Sequence, residues 1–227
     1  MAPIKLLMLS GIGPAQHLRS LDIDVKVDLP VGVGLVDHIM AAVTFRTRRS
    51  ITQPRTTYYE AVLLANVAGA QGAPPDLMMW LDSLPESIDL ESSETRAFSL
   101  APHLTHARSQ GWVRLRSDSP TDPPVINYGF FTDPEGHDLS TVVRGLVLAR
   151  RIAAQPALEE WVEVETAAGP SVMSEQELRE YARATSLSFD HPVARAGSVP
   201  SSMRSCGYEA PAGCGSRMRA CSPTPWV

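Results

Sequence analysis

The chain has 227 residues, of which 44% are hydrophobic and 20% are charged, and its formal net charge at pH 7 is −5. This composition suffices for a buried core and argues against global disorder. The negative charge, without any cluster of Lys and Arg, argues against nucleic acid or an anionic membrane surface as a partner.

An apolar segment lies near the start of the sequence. Residues 6–9 are Leu-Leu-Met-Leu, which we expect to be buried, and Ser-Gly-Ile-Gly follows them. Pro14 suits the first position of a short helix, because its missing N–H would have no partner there. Leu18 and Leu21 would give that helix an apolar stripe.

A short strand and a turn are predicted next. Residues 25–29 alternate between apolar and polar side chains, as a half-buried strand does, and Pro30 ends the strand. Residues 32–34 are Gly-Val-Gly. They lack the third glycine of a dinucleotide-binding fingerprint and are predicted to form a turn.

From about residue 41 the sequence favours strands that are separated by turn-rich stretches. The predicted strands are residues 43–47, 77–81, 98–104, 112–115 and 125–128.

Three helices are predicted in the same region, over residues 57–67, 138–154 and 175–182. The second has its apolar residues largely on one side and arginines near its C-terminal end, which suits the helix dipole. Ser174 and Glu177 form the sequence pattern of a capping box in front of the third. The whole pattern predicts an α+β fold, in which helices pack on one face of a mostly antiparallel sheet.

Several short motifs resemble one family of flavoenzymes. Residues 6–14, then Leu-Pro-Val-Gly at 29–32 and Asp37-His38, resemble in content and order the second signature of the glucose–methanol–choline (GMC) oxidoreductases. Residues 109–115 and 123–128 are similar to strands of that family's substrate-binding domain. The resemblance extends from about residue 3 to residue 193.

This resemblance implies a division of the chain. Residues 1–40 would be a remnant of the FAD-binding domain, and residues 41–174 the substrate-binding sheet domain. Residues 175–194 would return toward the FAD-binding domain with the active-site histidine. Residues 195–227 would form an aberrant, disordered tail. A complete FAD-binding half precedes these motifs in the family, so we interpret the chain as a C-terminal fragment of such an enzyme.

His191-Pro192-Val193 resembles the family segment that carries an active-site histidine. The resemblance implies that His191 accepts the proton of the substrate hydroxyl while hydride passes to the flavin of FAD. An imidazole suits this task because its ordinary pKa is about 6.5. Asp37-His38 matches the family's Asp-His turn, for which cofactor contact and a purely structural role are both open.

The sequence departs from the family pattern after Val193. Ala-Arg-Ala-Gly stands at 194–197 where the family has Gly-Thr-Cys-Arg, and residues 195–227 contain no Leu, Ile, Phe, Asp or Lys. If the codons are read from the third base of the Val193 codon, they can spell Gly-Thr-Cys-Arg. In the same frame, residues 213–220 can spell Leu-Arg-Val-Ala-Asp-Ala-Ser, which is typical of the family's C-terminus. We therefore expect a frameshift at or just before Ala194; a truly divergent tail is the alternative.

Other chemistry is not favoured by the sequence. His103 and His106 would point to opposite faces of a strand, and the spacings of the cysteines, which all lie after residue 205, match no zinc pattern. No metal site is therefore predicted. Asp190 beside His191 suggests a hydrolase triad only weakly, because the chain has no G-x-S-x-G motif.

The sequence thus predicts an FAD-dependent oxidoreductase that acts on the CH–OH group of a small-molecule alcohol, in an inactive truncated form. An upstream FAD-domain polypeptide is a possible partner. The alternative is a non-catalytic module that binds a substrate or partner and needs an FAD domain in trans. The chain has no run of about 18 apolar residues and no recognisable secretory signal, which favours a cytoplasmic location.

Overall fold

A computed structural model describes residues 2–51, 59–69, 72–83 and 95–194. The chain divides into two compact units. The first comprises the described residues of Met1–Gly34, Trp112–Asn127 and Ala194–Val227, and the second those of Leu35–Gly111 and Tyr128–Val193. None of the described helices has the length and hydropathy needed to cross a membrane.

Helices and strands alternate along the chain. In chain order they are α1 (Ala2–Leu9), β1 (Ile12–Gly13), α2 (Ala15–Arg19), β2 (Val27–Asp28), β3 (Val33–Leu35), β4 (Ile39–Met40), β5 (Val43–Ile51), β6 (Tyr59–Ala65), β7 (Leu77–Asp82), β8 (Thr95–Leu104), β9 (Gly111–Arg114), β10 (Val125–Asn127), α3 (His137–Ala153), α4 (Pro156–Glu159), β11 (Val162–Ala167), α5 (Glu175–Thr185) and β12 (Leu187–Ser188).

The first unit contains small sheets and two short helices. Strands β1 and β2 are parallel, and the Asp28 carboxylate accepts a hydrogen bond of 2.9 Å from the backbone N–H of Ala15 at the start of α2. The apolar run at 6–9 is only partly buried, because it lies in a helix. Met8 is fully buried, whereas Leu6 is 67% exposed.

Gly32 allows two backbone segments of the first unit to cross closely. Its φ is +78°, and a Cβ built on it would lie 2.3 Å from the carbonyl oxygen of Val113. The N–H of Val113 also donates to the carbonyl oxygen of Gly32. The glycine is therefore required by a turn and by protein packing, and its backbone does not face an open ligand site.

The second unit is built on an antiparallel sheet. Strands β6, β7, β8, β5 and β11 follow one another across it, and β4 lies between β8 and β12. Helices α3 and α5 share one hydrophobic core with the sheet. Its fully buried or nearly buried members include Phe45, Leu77, Phe98, Leu100, Val142, Leu146, Leu178 and Ala182. The expected α+β architecture is confirmed.

The predicted helix over residues 57–67 is wrong. Residues 59–65 form strand β6, which is antiparallel to β7 with Val62 opposite Trp80 and Leu64 opposite Met78. Leu and Ala favour a helix in isolation, but pairing with a neighbouring strand outweighs this weak preference. Residues 57 and 58 lie outside the described part of the chain.

Most other local predictions are confirmed. The predicted strands correspond to β5, β7, β8, β9 and β10, and the predicted long helix corresponds to α3. Ser174 and Glu177 form the expected capping box at the start of α5. The sequence analysis missed the strand β11, whose side chains show no clean alternation of buried and exposed positions.

Gly145 permits α3 to approach the sheet, so its substitution should destabilise the fold. A Cβ built there would lie 2.6 Å from Cβ of Pro102 and 3.0 Å from a methyl group of Leu77. We expect Gly145→Ala to lower the free energy of unfolding by about 1–3 kcal/mol. This loss should appear even though alanine is normally more favourable than glycine inside a helix, by about 1 kcal/mol.

Urea unfolding followed by circular dichroism measures this change. Val147→Ala, at a position of the same helix that is 43% exposed, is the control and should change stability by about 0.5 kcal/mol or less. A Gly145→Ala protein as stable as the parent would contradict the packing argument.

Candidate active site

The short strand β4 brings three distant segments of the second unit together. Met40 in β4 is paired with His103 of β8 on one side and with Leu187 of β12 on the other. The backbone N–H of Phe189 donates to the carbonyl oxygen of His38, at 3.1 Å. His38, His103 and residues 188–191 therefore meet at one end of the sheet.

Asp37 lies in the middle of this arrangement and is only 7% exposed. Its Oδ1 accepts hydrogen bonds from the backbone N–H of His38, at 2.7 Å, and of His191, at 3.2 Å. Its Oδ2 accepts a hydrogen bond from the hydroxyl of Ser188. Both carboxylate oxygens thus have partners within the protein.

The neutral tautomer of His38 is determined by one backbone contact. Its Nδ1 lies 2.6 Å from the carbonyl oxygen of Leu104, and a carbonyl oxygen can only accept, so Nδ1 carries the hydrogen. The lone pair of the neutral ring then lies on Nε2, to which no described residue donates a hydrogen bond. A neutral His38 can therefore accept a proton at Nε2.

The ring of His191 stands edge-on to two other rings. Its centroid lies 5.5 Å from that of His38, at an interplanar angle of 81°, and 5.2 Å from that of Phe189, at 90°. His191 itself is exposed. The preceding residue, Asp190, has a φ of 59°, in the left-handed region that aspartate tolerates better than most residues.

His103 forms the buried floor of the cluster and is 0% exposed. Its ring stacks on Phe189 at 4.4 Å and 17°. The indole Nε1 of Trp80 donates to its Nε2 at 3.1 Å, and its Nδ1 lies 3.2 Å from the carbonyl oxygen of Ala101. An indole N–H can only donate, so the neutral ring accepts at Nε2 and donates from Nδ1.

Burial lowers the pKa of His103 from 6.5 to about 4, because a charged imidazole would lose its hydration there. The bond to Ala101 raises this pKa, and any positive charge on His38 or His191 lowers it further. The ring is consequently neutral at pH 7. It therefore adds no charge to the cluster.

The structure brings together the residues that the sequence analysis singled out. His191, His38 and Asp37 all belong to this cluster, which we call the histidine cluster together with His103. The sequence analysis weighed His103 only as a metal ligand, paired with His106. His106 is exposed in the loop after β8, and among the described residues no group of three or more His, Cys, Asp or Glu is arranged to hold a metal.

Sequence reasoning missed the contributions of Trp80, Ser188 and Phe189. Trp80 is paired with Ala101 across β7 and β8, and an alternating strand pattern could have placed it on one face with His103. Ser188 and Phe189 carry no comparable signal. The cysteines and the predicted frameshifted tail at 195–227 lie outside the described residues.

Comparison with known proteins agrees on one family. A family model described as GMC oxidoreductase matches residues 107–200. Choline oxidase of Arthrobacter globiformis is 41% identical over 206 residues, which cover 88% of this chain and 38% of that protein. Mitochondrial choline dehydrogenase of Mus musculus is 32% identical over 217 residues, which cover 83% of this chain and 35% of that protein.

Solved structures share the fold at lower identity. The structure of pyridoxine 4-oxidase from "Mesorbium loti" has a TM-score of 0.73 at 23% identity, with 85% of this chain and 38% of that chain covered. A formate oxidase structure has a TM-score of 0.71 at 19% identity, with 83% and 42% covered. The chain thus spans well under half the length of the relatives and structures that it matches.

The indole of Trp80 should help to keep His103 neutral. We expect Trp80→Phe to raise the pKa of His103, because the variant removes a donor that favours the neutral ring. A titration of the histidine ring resonances by NMR measures this change. Trp161→Phe, at a ring that contacts Arg49, is the control and should leave the titration of His103 unchanged.

A parent pKa near 6.5 for His103 would contradict the burial argument. An unchanged value in Trp80→Phe would contradict the role of the indole.

Proposed function

Because the chain belongs to the GMC oxidoreductase family, we propose that it supplies the proton-accepting part of a site at which FAD oxidises the CH–OH group of an alcohol. The observation that carries the proposal is the juxtaposition of His38 and His191, with ring centroids 5.5 Å apart. These residues come from segments more than 150 positions apart in sequence. The curated relatives named for choline, itself an alcohol, support this substrate class.

The described residues fit the reacting end of such a site. Removal of hydride from a carbinol carbon requires that the hydroxyl also lose its proton, and a neutral imidazole is a suitable acceptor near pH 7. His38 has its hydrogen held on Nδ1 by Leu104, which leaves Nε2 as the acceptor. His191 is exposed beside it and can meet a substrate hydroxyl.

The residues that would hold the phosphates of FAD are not found in this sequence. It contains no G-x-G-x-x-G motif, and Gly32, in the incomplete pattern at 32–34, faces the carbonyl oxygen of Val113. We therefore assign to this polypeptide the proton-accepting side of the site and to a separate FAD-binding part the dinucleotide. That part corresponds to the region of choline oxidase outside the match.

In the proposed mechanism the cofactor accepts hydride and this chain accepts the proton. Bound FAD would accept the hydride from the carbinol carbon. His191 accepts the hydroxyl proton at its imidazole, and His38 stands next to it as a second acceptor. His103, neutral and stacked on Phe189, keeps the floor of the site uncharged.

A partner that carries the FAD-binding part is also supported by the surface of β6. Val62 is 50% exposed and Leu64 is 58% exposed, on the sheet face that carries Trp80. Adjacent exposed apolar side chains of this kind are typical of a surface that another protein segment covers. We propose that the 227-residue polypeptide retains no flavin, and is inactive, unless such a part is supplied.

A chimera tests the proposal. The FAD-binding part of choline oxidase, joined to this chain, should retain yellow flavin that primary alcohols bleach in the absence of oxygen. In the chimera, His191→Ala should slow flavin reduction by about 10²- to 10⁴-fold while flavin is retained. His106→Ala, at an exposed histidine outside the cluster, is the matched control and should reduce flavin at the parent rate.

The outcomes separate the two functions considered. Retained flavin that no alcohol reduces would favour a non-catalytic binding module. Equal rates in parent and His191→Ala would remove the proposed role of this histidine. Yellow flavin in the purified 227-residue chain would contradict the need for a separate FAD-binding part.

We also propose that the reading frame shifts at or just before Ala194. The support is the codon pattern, which in a shifted frame can spell the family residues both at 194–197 and at 213–220. Sequencing of the gene across the His191 codon should reveal an inserted or deleted base. A verified continuous frame to Val227 would overturn this proposal.

A further inference from the structure

We propose that Asp37 is a positioning residue, which holds the segment 188–191 so that the His191 ring faces the reacting alcohol. This inference rests on the proposed function of His191, to which it adds a second residue. The sequence analysis left cofactor contact and a structural role open for Asp37. The geometry points to a role that acts through His191.

The carboxylate of Asp37 joins two parts of the chain. Ser188 Oγ donates to its Oδ2, and the backbone N–H of His191 donates to its Oδ1 at 3.2 Å. These partners are 151 and 154 residues away in sequence. The N–H of His38, next to Asp37, donates to the same Oδ1 at 2.7 Å.

A carboxylate is well suited to this position. An ionised carboxylate is purely an acceptor, and the three groups that point at Asp37 are all donors. Hydrogen bonds to a charged acceptor are stronger than those between neutral groups. Asp37 is 7% exposed and forms no ion pair with any described residue, so these donors are what stabilise its charge.

Backbone pairing holds the same segment at both ends. Leu187 and Ser188 pair with β4, and the N–H and carbonyl groups of Val193 are bonded to Val36 at 2.9 and 2.8 Å. Between these ends, Asp37 and Ser188 supply the side-chain bonds. Ser188 Oγ also accepts from the N–H of Asp190, at 3.0 Å.

The conformation at Asp190 shows why such bonds are needed. Its φ of 59° turns the chain so that Phe189 packs on His103 while His191 stands edge-on to His38. A non-glycine residue in this region is disfavoured unless its surroundings hold it. The bonds from Ser188 and His191 to Asp37 hold the residues on both sides of Asp190.

Burial argues against direct contact of Asp37 with a ligand. Both of its oxygens are used by Ser188, His38 and His191, and little of the residue reaches the surface. A ligand bond would therefore have to displace one of these donors. Asp37 acts through the position of His191.

Amide hydrogen exchange on the 227-residue chain tests the inference without any flavin. We expect Asp37→Ala to speed exchange at Asp190 and His191 by about tenfold or more, because the His191 N–H loses a charged acceptor. Asp37→Asn should restore much of the protection, since its carbonyl oxygen can still accept from His191. Of the hydrogen bonds to Asp37, Ser188→Ala removes only the one from Ser188. It tests the inference if Asp37→Ala does not fold.

Asp76→Ala is the matched control. The Asp76 carboxylate also accepts two backbone N–H groups, those of Val67 and Ala68, in the same unit but in another loop. The Asp76→Ala variant should speed amide exchange at residues 67 and 68 and leave residues 188–191 protected. Unchanged exchange at 190 and 191 in both Asp37→Ala and Ser188→Ala would overturn the inference, as would equal loss of protection there in Asp76→Ala.

The flavin-loaded chimera then separates position from stability. Ser188→Ala should lower kcat for flavin reduction, with flavin content and thermal midpoint close to those of the parent, and Asp37→Asn should keep a higher kcat than Asp37→Ala. Unchanged kcat in both Ser188→Ala and Asp37→Ala would overturn the positioning role. Failure of the parent chimera to reduce flavin would count against the proposed function, whereas the exchange result on the intact chain would still decide whether Asp37 holds the segment.

Discussion

The double pairing of strand β4 is the constraint on which the candidate site depends. This strand has only the two residues Ile39–Met40, yet it bonds to β8 on one side and to β12 on the other. Backbone hydrogen bonds in a sheet interior set the register of the strands. Because β4 follows directly on Asp37 and His38, that register also places these two side chains beside residues 188–191.

The buried polar groups of the histidine cluster have hydrogen-bond partners within the protein. His103 is buried and neutral, with one ring nitrogen bonded to Trp80 and the other facing Ala101. The carboxylate of Asp37 faces only donors. Buried polar groups that have hydrogen-bond partners make such a cluster rigid.

One face of the main sheet packs into the core, and the other carries residues of the candidate site. Leu77, Met79 and Leu104 point into the core against α3, which provides stability. Because side chains alternate along a strand, Trp80 and His103 lie on the opposite face. The residues that stabilise the fold are thus separated from those of the candidate site. The exposed apolar side chains of Val62 and Leu64 in β6 lie on the same face as the candidate site.

Local signals in the sequence determined the elements that depend on near neighbours. The capping box at Ser174, the periodicity of α3 and the strands β5, β7 and β8 were each correctly interpreted, because their causes lie within a few residues. The motifs around Asp37-His38 and His191 also indicated the family and the candidate catalytic histidine. Tertiary structure alone decided that 59–65 is a strand and that Asp37 bonds to Ser188, because those outcomes rest on partners that the chain brings together only when it folds.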